Sequence, residues 1–115
     1  MPEKRKAPRV QPFVVPCRVI DGPRRFSAYL TDLSLEGAQV SAGVAAPTPG
    51  TTVVLEVRLG RQVAPPRLSA EVVWTRGAGG LRHAFGVTFK GLRPDARRVL
   101  EAALEEFRRR AAMLA

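Results

Sequence analysis

Apolar and polar residues alternate in short runs through the middle of the chain, and glycine and proline separate these runs. In the clearest run, TTVVLEVRLG, residues 53, 55, 57 and 59 are apolar, while Glu56 and Arg58 lie between them. A two-residue period is typical of β-strands with one buried face. About six such runs occur between Phe13 and Phe89, so the sequence predicts an antiparallel barrel or sandwich.

Trp74 stands near the end of the run RLSAEVVWT. Strict alternation places its indole on the same face as Leu68 and Val72, which predicts a core residue rather than an exposed platform for base stacking. In the next run, HAFGVTF, Gly86 falls on the face opposite Phe85. A missing side chain there indicates close backbone approach or a bulge.

The pattern changes to a helical one after Gly91. Pro94 suits a first helical turn, and Asp95 suits the positive end of the helix dipole. Apolar residues then recur three and four positions apart from Leu100 onwards, which predicts an amphipathic helix packed on the β domain. The chain is thus divided into a flexible basic arm over residues 1–11, a β domain over 12–90 and a C-terminal helix over 91–115.

Composition and charge indicate a globular protein with anionic partners. The 115 residues are 45% hydrophobic and 25% charged, and the formal net charge is +9. Sixteen of the 19 basic residues are arginine, whose planar fork suits phosphates and the guanine edge, although an arginine-rich coding bias is an alternative. We expect no membrane span and, with a single cysteine and no secretory signal pattern, a cytoplasmic location.

Residues for catalysis or metal binding are sparse in the sequence. One histidine, His83, and one cysteine, Cys17, provide no paired ligand spacing such as Cys-x-x-Cys. Ser34 lies in no nucleophile-elbow pattern, and the glycines of RGAGG precede a strand rather than a helix. We therefore predict that the protein is not an enzyme and uses no metal or cofactor.

The arm MPEKRKAPRV concentrates positive charge at the start of the chain, including Lys4, Arg5 and Arg9. Pro2 and Pro8 disfavour a helix there, so we expect an extended or turning segment. The segment is either a solvated terminus or a ligand-binding arm. In the second case one guanidinium binds phosphate oxygens, and another donates to O6 and N7 of guanine.

The segment DLSLEG leaves a predicted strand and contains Asp32, Ser34 and Gly37. A carboxylate at Asp32 can accept hydrogen bonds from N1–H and N2–H₂ of guanine, and Ser34 can donate to a phosphate or brace the turn. Gly37 is expected to adopt a positive φ that closes the turn. The alternative is that Asp32 and Ser34 bond their own backbone, as such residues do in many turns.

RKAPR, followed after 22 residues by DLSLEG, resembles the two-part signature of the PilZ domain, R-x-x-x-R and then [D/N]-x-S-x-x-G. GAQV after the glycine and WTRGAGGLRHAFGVTF, which looks like the final hairpin of that family, extend the resemblance over nearly all of residues 3–90. The resemblance implies a mainly β fold, a six-stranded antiparallel Greek-key β-barrel with a C-terminal α-helix. It also implies cyclic di-GMP, a bacterial second messenger, as the ligand.

The resemblance further assigns roles to individual residues. Arg5 and Arg9 would hold phosphates and guanine edges, Asp32 and Ser34 would contact guanine and its surroundings, and Gly37 would shape the turn. Lys4 stands where many relatives have another arginine, which leaves one bound nucleotide or a stacked pair open. The predicted function is a single-domain receptor that relays cyclic di-GMP binding to an unidentified protein partner.

Two other functions compete with this prediction. One is a protein-interaction adaptor that has the fold but binds no nucleotide. The other is general binding of nucleic acid through basic charge. We expect no DNA or RNA partner, because the seven aromatic residues lie mostly on predicted core faces rather than among exposed arginines.

Overall fold

Six strands precede one helix in the computed structural model, which describes residues 15–58, 66–77 and 82–114. The predicted arm therefore lies outside the described residues, and its role stays a prediction. The elements are β1 (Val15–Asp21), β2 (Arg24–Leu33), β3 (Gly37–Ala42), β4 (Thr52–Val57), β5 (Arg67–Gly77), β6 (His83–Phe89) and α1 (Pro94–Leu114).

The strands form a closed barrel in the order β1-β2-β3-β6-β5-β4, and all neighbouring pairs are antiparallel. After the first three strands, the chain returns so that β4 lies beside β1, which is a Greek-key connection. The mainly β barrel with a C-terminal helix is thus confirmed, and the sandwich alternative is wrong. Because the sheet closes on itself, the described strands leave no free edge for another chain to extend.

The barrel core forms from the inward face of each strand. The alternation predicted for β4 holds, since Val53, Leu55 and Val57 are all buried. Phe85 on β6 is buried among them and is the largest of the fully buried side chains in the described residues. Each such aliphatic or aromatic side chain stabilises the fold by roughly 1.5–3 kcal/mol on burial.

Helix α1 supplies its apolar stripe to the same core, as the spacing predicts. Leu100, Ala103 and Leu104 are buried, and Phe107 packs against the cluster as a partly buried residue. Asp95 lies in the first turn, where the helix dipole favours an acid. In the part of the chain that the structure describes, no helix combines the length and apolarity needed to cross a bilayer.

Cys17 gives the barrel a measurable response to alkaline pH. The thiol lies in the core, and burial raises its pKa from 9.0 to about 12 because a thiolate is poorly solvated there. The unfolded chain releases this proton near pH 9 and the folded chain does not, so rising pH favours unfolding. We predict that the free energy of unfolding falls between pH 9 and 12 more steeply in the wild type than in Cys17→Ala.

Urea unfolding followed by circular dichroism at several pH values measures both profiles. Other groups also titrate in this range, but they are common to the two proteins and cancel in the difference. Parallel profiles would show that Cys17 does not make the expected contribution.

Candidate functional site

A β-bulge in β2 turns Asp32 out of the barrel core. Leu30 pairs with Val40 and Asp32 pairs with Gln39, so Thr31 is an extra residue on β2. Regular alternation from Leu30 would place Asp32 on the inner face. With the bulge, Asp32 and Thr31 both lie on the outer side opposite Gln39, while Leu33 takes the core position and is fully buried.

A second bulge in β5 does the same for Trp74, and the prediction of a core indole is wrong. Val72 pairs with Val87 and Trp74 pairs with Gly86, which makes Val73 the extra residue. Val73 is 49% exposed, whereas Val72 is fully buried. Because the bulge reverses the alternation after Val72, Trp74 lies half-buried on the outer face of the barrel.

The two bulges lie at opposite ends of one lateral row across four strands. Asp32 pairs with Gln39, Gln39 pairs with Gly86, and Gly86 pairs with Trp74. Three strand spacings separate the ends of the row, a span of roughly 14 Å along the barrel wall. We call Asp32, Gln39, Gly86 and Trp74 the outer row.

Gly86 makes the outer row possible by leaving room for the indole. A Cβ built on Gly86 would overlap the Trp74 ring, so a larger residue would displace the tryptophan. The sequence predicted close approach or a bulge at Gly86, and both occur, since the strand opposite it carries the bulge. Beside the indole, a depression of about 250 Å³ reaches Ser34 and Gly37.

Ser34 braces the turn between β2 and β3 with its own hydroxyl. Its Oγ accepts hydrogen bonds from the backbone N–H of Glu36 at 3.1 Å and of Gly37 at 3.3 Å. The Ser34 backbone N–H donates to the Gly37 carbonyl at 2.9 Å. Of the two roles considered for this hydroxyl, turn bracing is observed, and phosphate contact stays a prediction.

Gly37 is needed for close packing and not for a positive φ, so the sequence expectation about its backbone is wrong. Among the described glycines, the positive φ values occur at Gly22, Gly50 and Gly91. A Cβ on Gly37 would instead overlap the carbonyl oxygen of Val87 on β6. The glycine therefore lets the start of β3 approach β6.

Positive charge lies beside the outer row. The Arg76 guanidinium lies 5.7 Å from the centre of the Trp74 ring, within cation–π range. Arg82, directly before β6, donates to the Ser41 hydroxyl of β3 at 3.3 Å. Arg76 and Ser41 both pair with Ala84, so the two arginines flank the outer row on one side.

The structure brings together one half of the predicted site. Asp32, Ser34 and Gly37 lie in or next to the turn after β2, and Asp32 and Ser34 are 4% and 3% exposed. Lys4, Arg5 and Arg9 lie outside the described residues. Sequence reasoning did not single out Gln39 or Arg76, and it considered Trp74 but assigned it to the core.

Comparison with known proteins identifies the family. The family model of the PilZ domain matches residues 3–106, so the chain belongs to the PilZ domain family. A search of curated protein sequences gave no match.

Solved structures share the fold at low sequence identity. The PilZ domain of YcgR from Escherichia coli, solved with c-di-GMP, is 19% identical with a TM-score of 0.77, and the match covers 95% of each chain. The MrkH–c-di-GMP complex of K. pneumonia is 14% identical with a TM-score of 0.78, over 98% of this chain and 56% of MrkH. The inhibitor of motility MotI/DgrA from Bacillus subtilis is 14% identical with a TM-score of 0.73, over 96% and 52%. The chain thus spans about half the length of MrkH and MotI/DgrA.

Gly37 and Gly77 provide a matched test of the close approach. Neither glycine has a positive φ, but a Cβ on Gly37 would overlap β6 backbone, whereas one on Gly77 would lie 3.6 Å from the His83 ring. We predict that Gly37→Ala lowers the free energy of unfolding by roughly 1–3 kcal/mol, as overpacking does. Gly77→Ala should change it by about 0.5 kcal/mol or less. Denaturant titration of both variants measures the difference, and equal effects would contradict the assigned role of Gly37.

Proposed function

We propose that the protein is a non-enzymatic receptor for cyclic di-GMP, and that the nucleotide binds over the outer row. The observation that supports this most directly is the bulge at Thr31, which turns Asp32 to the outer face in one row with Gly86 and Trp74. Family membership supports the same ligand, because solved PilZ domains such as that of YcgR contain c-di-GMP.

Asp32 is the proposed acceptor for the guanine base. Its carboxylate matches the adjacent N1–H and N2–H₂ donors of guanine, which an arginine cannot serve. Because Asp32 is 4% exposed, water competes weakly there and each hydrogen bond to the carboxylate is strengthened. Trp74 lies at the other end of the row and offers an aromatic face to a base or its sugar.

Arg5 and Arg9 are the proposed partners of the phosphates and of the O6 and N7 edge of guanine, with Lys4 as an additional point charge. Arg9 precedes Val15 by six residues, a contour of about 20 Å. Val15 pairs with Leu30, two residues before Asp32. The arm is therefore long enough to bring Arg9 to the outer row.

Ser34 and Gly37 act in this proposal mainly by fixing the turn that follows Asp32. Arg76 adds a guanidinium beside the row, where it can meet a second phosphate of the ligand. The change produced by ligand binding is relayed to a protein partner, with the arm as the element that orders. No metal or cofactor takes part in this proposal.

Calorimetric titration with cyclic di-GMP tests the proposed function. We predict that wild type binds, and that Arg9→Ala and Asp32→Asn each weaken binding roughly 30-fold or more. Each variant loses charge-assisted hydrogen bonds of about 2 kcal/mol or more. Cyclic di-AMP should bind more weakly, because adenine lacks the N1–H and N2–H₂ donors that Asp32 would accept. The titration also gives the number of nucleotides bound per chain.

Charge-matched controls separate site contacts from net charge. Arg98→Ala and Asp95→Ala remove exposed charges on α1 and should leave the affinity unchanged. The single tryptophan provides a second readout, since a ligand over the outer row should change its emission. Absence of binding by wild type at low and moderate salt would overturn the proposal and favour the adaptor alternative.

A further inference from the structure

A second depression lies on another part of the barrel wall, across β4, β1 and β2. Its volume is about 470 Å³, larger than the depression beside Trp74. Two lateral rows form it. In one row Arg18 pairs with both Ser27 and Glu56, and in the other Pro16 pairs with Tyr29. The outward residues of this β1 groove are Pro16, Arg18, Ser27, Tyr29, Glu56 and Arg58.

The groove carries uncompensated positive charge. Arg18 and Arg58 are exposed, and neither has an ion-pair partner among the described residues. Glu56 is already neutralised, since Arg67 Nε lies 2.8 Å from its carboxylate. Among the described residues, the groove therefore presents two guanidinium groups and one carboxylate that is already paired with Arg67.

Apolar surface lies beside these two charges. Tyr29 is 47% exposed although it belongs to a strand in the middle of the wall, and its neighbour Pro16 is exposed as well. Proline and serine are short, so the surface is concave between Tyr29 and the arginines. Tyrosine and arginine are both enriched at protein interfaces relative to the remaining surface.

We propose that the β1 groove binds an acidic peptide segment of a partner protein, with two carboxylates on Arg18 and Arg58 and an apolar side chain beside them on Tyr29 and Pro16. Charge complementarity selects the acidic segment. The peptide is bound through side-chain contacts rather than by strand addition, because the described strands of the closed barrel leave no free edge. Peptide binding in this groove does not require cyclic di-GMP, and the site goes beyond the proposed nucleotide binding.

A peptide fits these observations better than nucleic acid does. Binding to nucleic acid usually neutralises a long series of phosphates, whereas this groove offers two free guanidinium groups. A short peptide needs no more than the two charges and the apolar surface beside them.

Peptide selection followed by affinity measurement tests the proposal. Random dodecapeptides displayed on phage are selected on the immobilised full chain without nucleotide, and enriched peptides are resynthesised with fluorescein for anisotropy. We expect enriched sequences to carry at least two Asp or Glu residues with an apolar residue next to them. The double variant Arg18→Ala/Arg58→Ala should weaken their binding by about tenfold or more, since two favourable charge pairs are lost.

Matched variants assign the binding to the groove. Arg98→Ala/Arg109→Ala removes two exposed arginines of α1 and should leave the peptide affinity unchanged. Tyr29→Ser should weaken binding, and Arg18→Lys/Arg58→Lys should retain most of it. Asp32→Asn should have no effect, so this test does not depend on whether cyclic di-GMP binds.

Several results would overturn the proposal. They are selection of no peptide, enrichment of neutral or basic peptides, and equal affinities of the groove variant and the α1 control. Binding of a single-stranded DNA oligonucleotide that is lost in the groove variant, with no acidic peptide selected, would assign the groove to nucleic acid instead.

Discussion

The candidate site depends on the interruption of strand alternation at two positions of one row. In a closed barrel, side chains alternate between the core and the outer face, so a carboxylate on the inner face would be buried among apolar side chains. The extra residues Thr31 and Val73 reverse the alternation in β2 and β5. Asp32 and Trp74 reach the outer face as a result, while Leu33 and Val72 keep the core filled.

The three residues of the DLSLEG motif have separate physical roles around this row. Asp32 lies on the outer face, Ser34 holds the turn by accepting two backbone hydrogen bonds, and Gly37 permits contact with the Val87 carbonyl. The turn is also tied to β6, since the Phe89 N–H donates to the Glu36 carbonyl at 2.8 Å. A change at the serine or the glycine would therefore move Asp32 indirectly, even without any contact between these residues and a ligand.

The barrel and the helix could be predicted from the sequence because both follow from periodic burial, which many residues report together. The positions of the bulges could not, because a bulge is decided by which residues pair across strands. VVW in β5 contains no local mark that Val73 is the extra residue. The wrong prediction for Trp74 follows from the missed bulge. The wrong prediction for Gly37 has a similar non-local cause, because its small size permits contact with Val87, which lies 50 residues later in the chain. Gly86 was the one signal of the irregularity, since its missing side chain indicated a bulge or close approach.

The outer row and the β1 groove share strand β2, and Pro16 at the start of β1 lies in the groove. Asp32 of the row and Tyr29 of the groove are three residues apart on β2, and Tyr29 pairs with Pro16 on β1. Residues 1–14 join β1 at Val15, directly before Pro16. A nucleotide that fixes the arm over Asp32 would therefore also fix the chain that enters the barrel beside the groove. Because the barrel wall repacks little, such a fixing of residues 1–14 would be the simplest physical route from a ligand on the row to the groove.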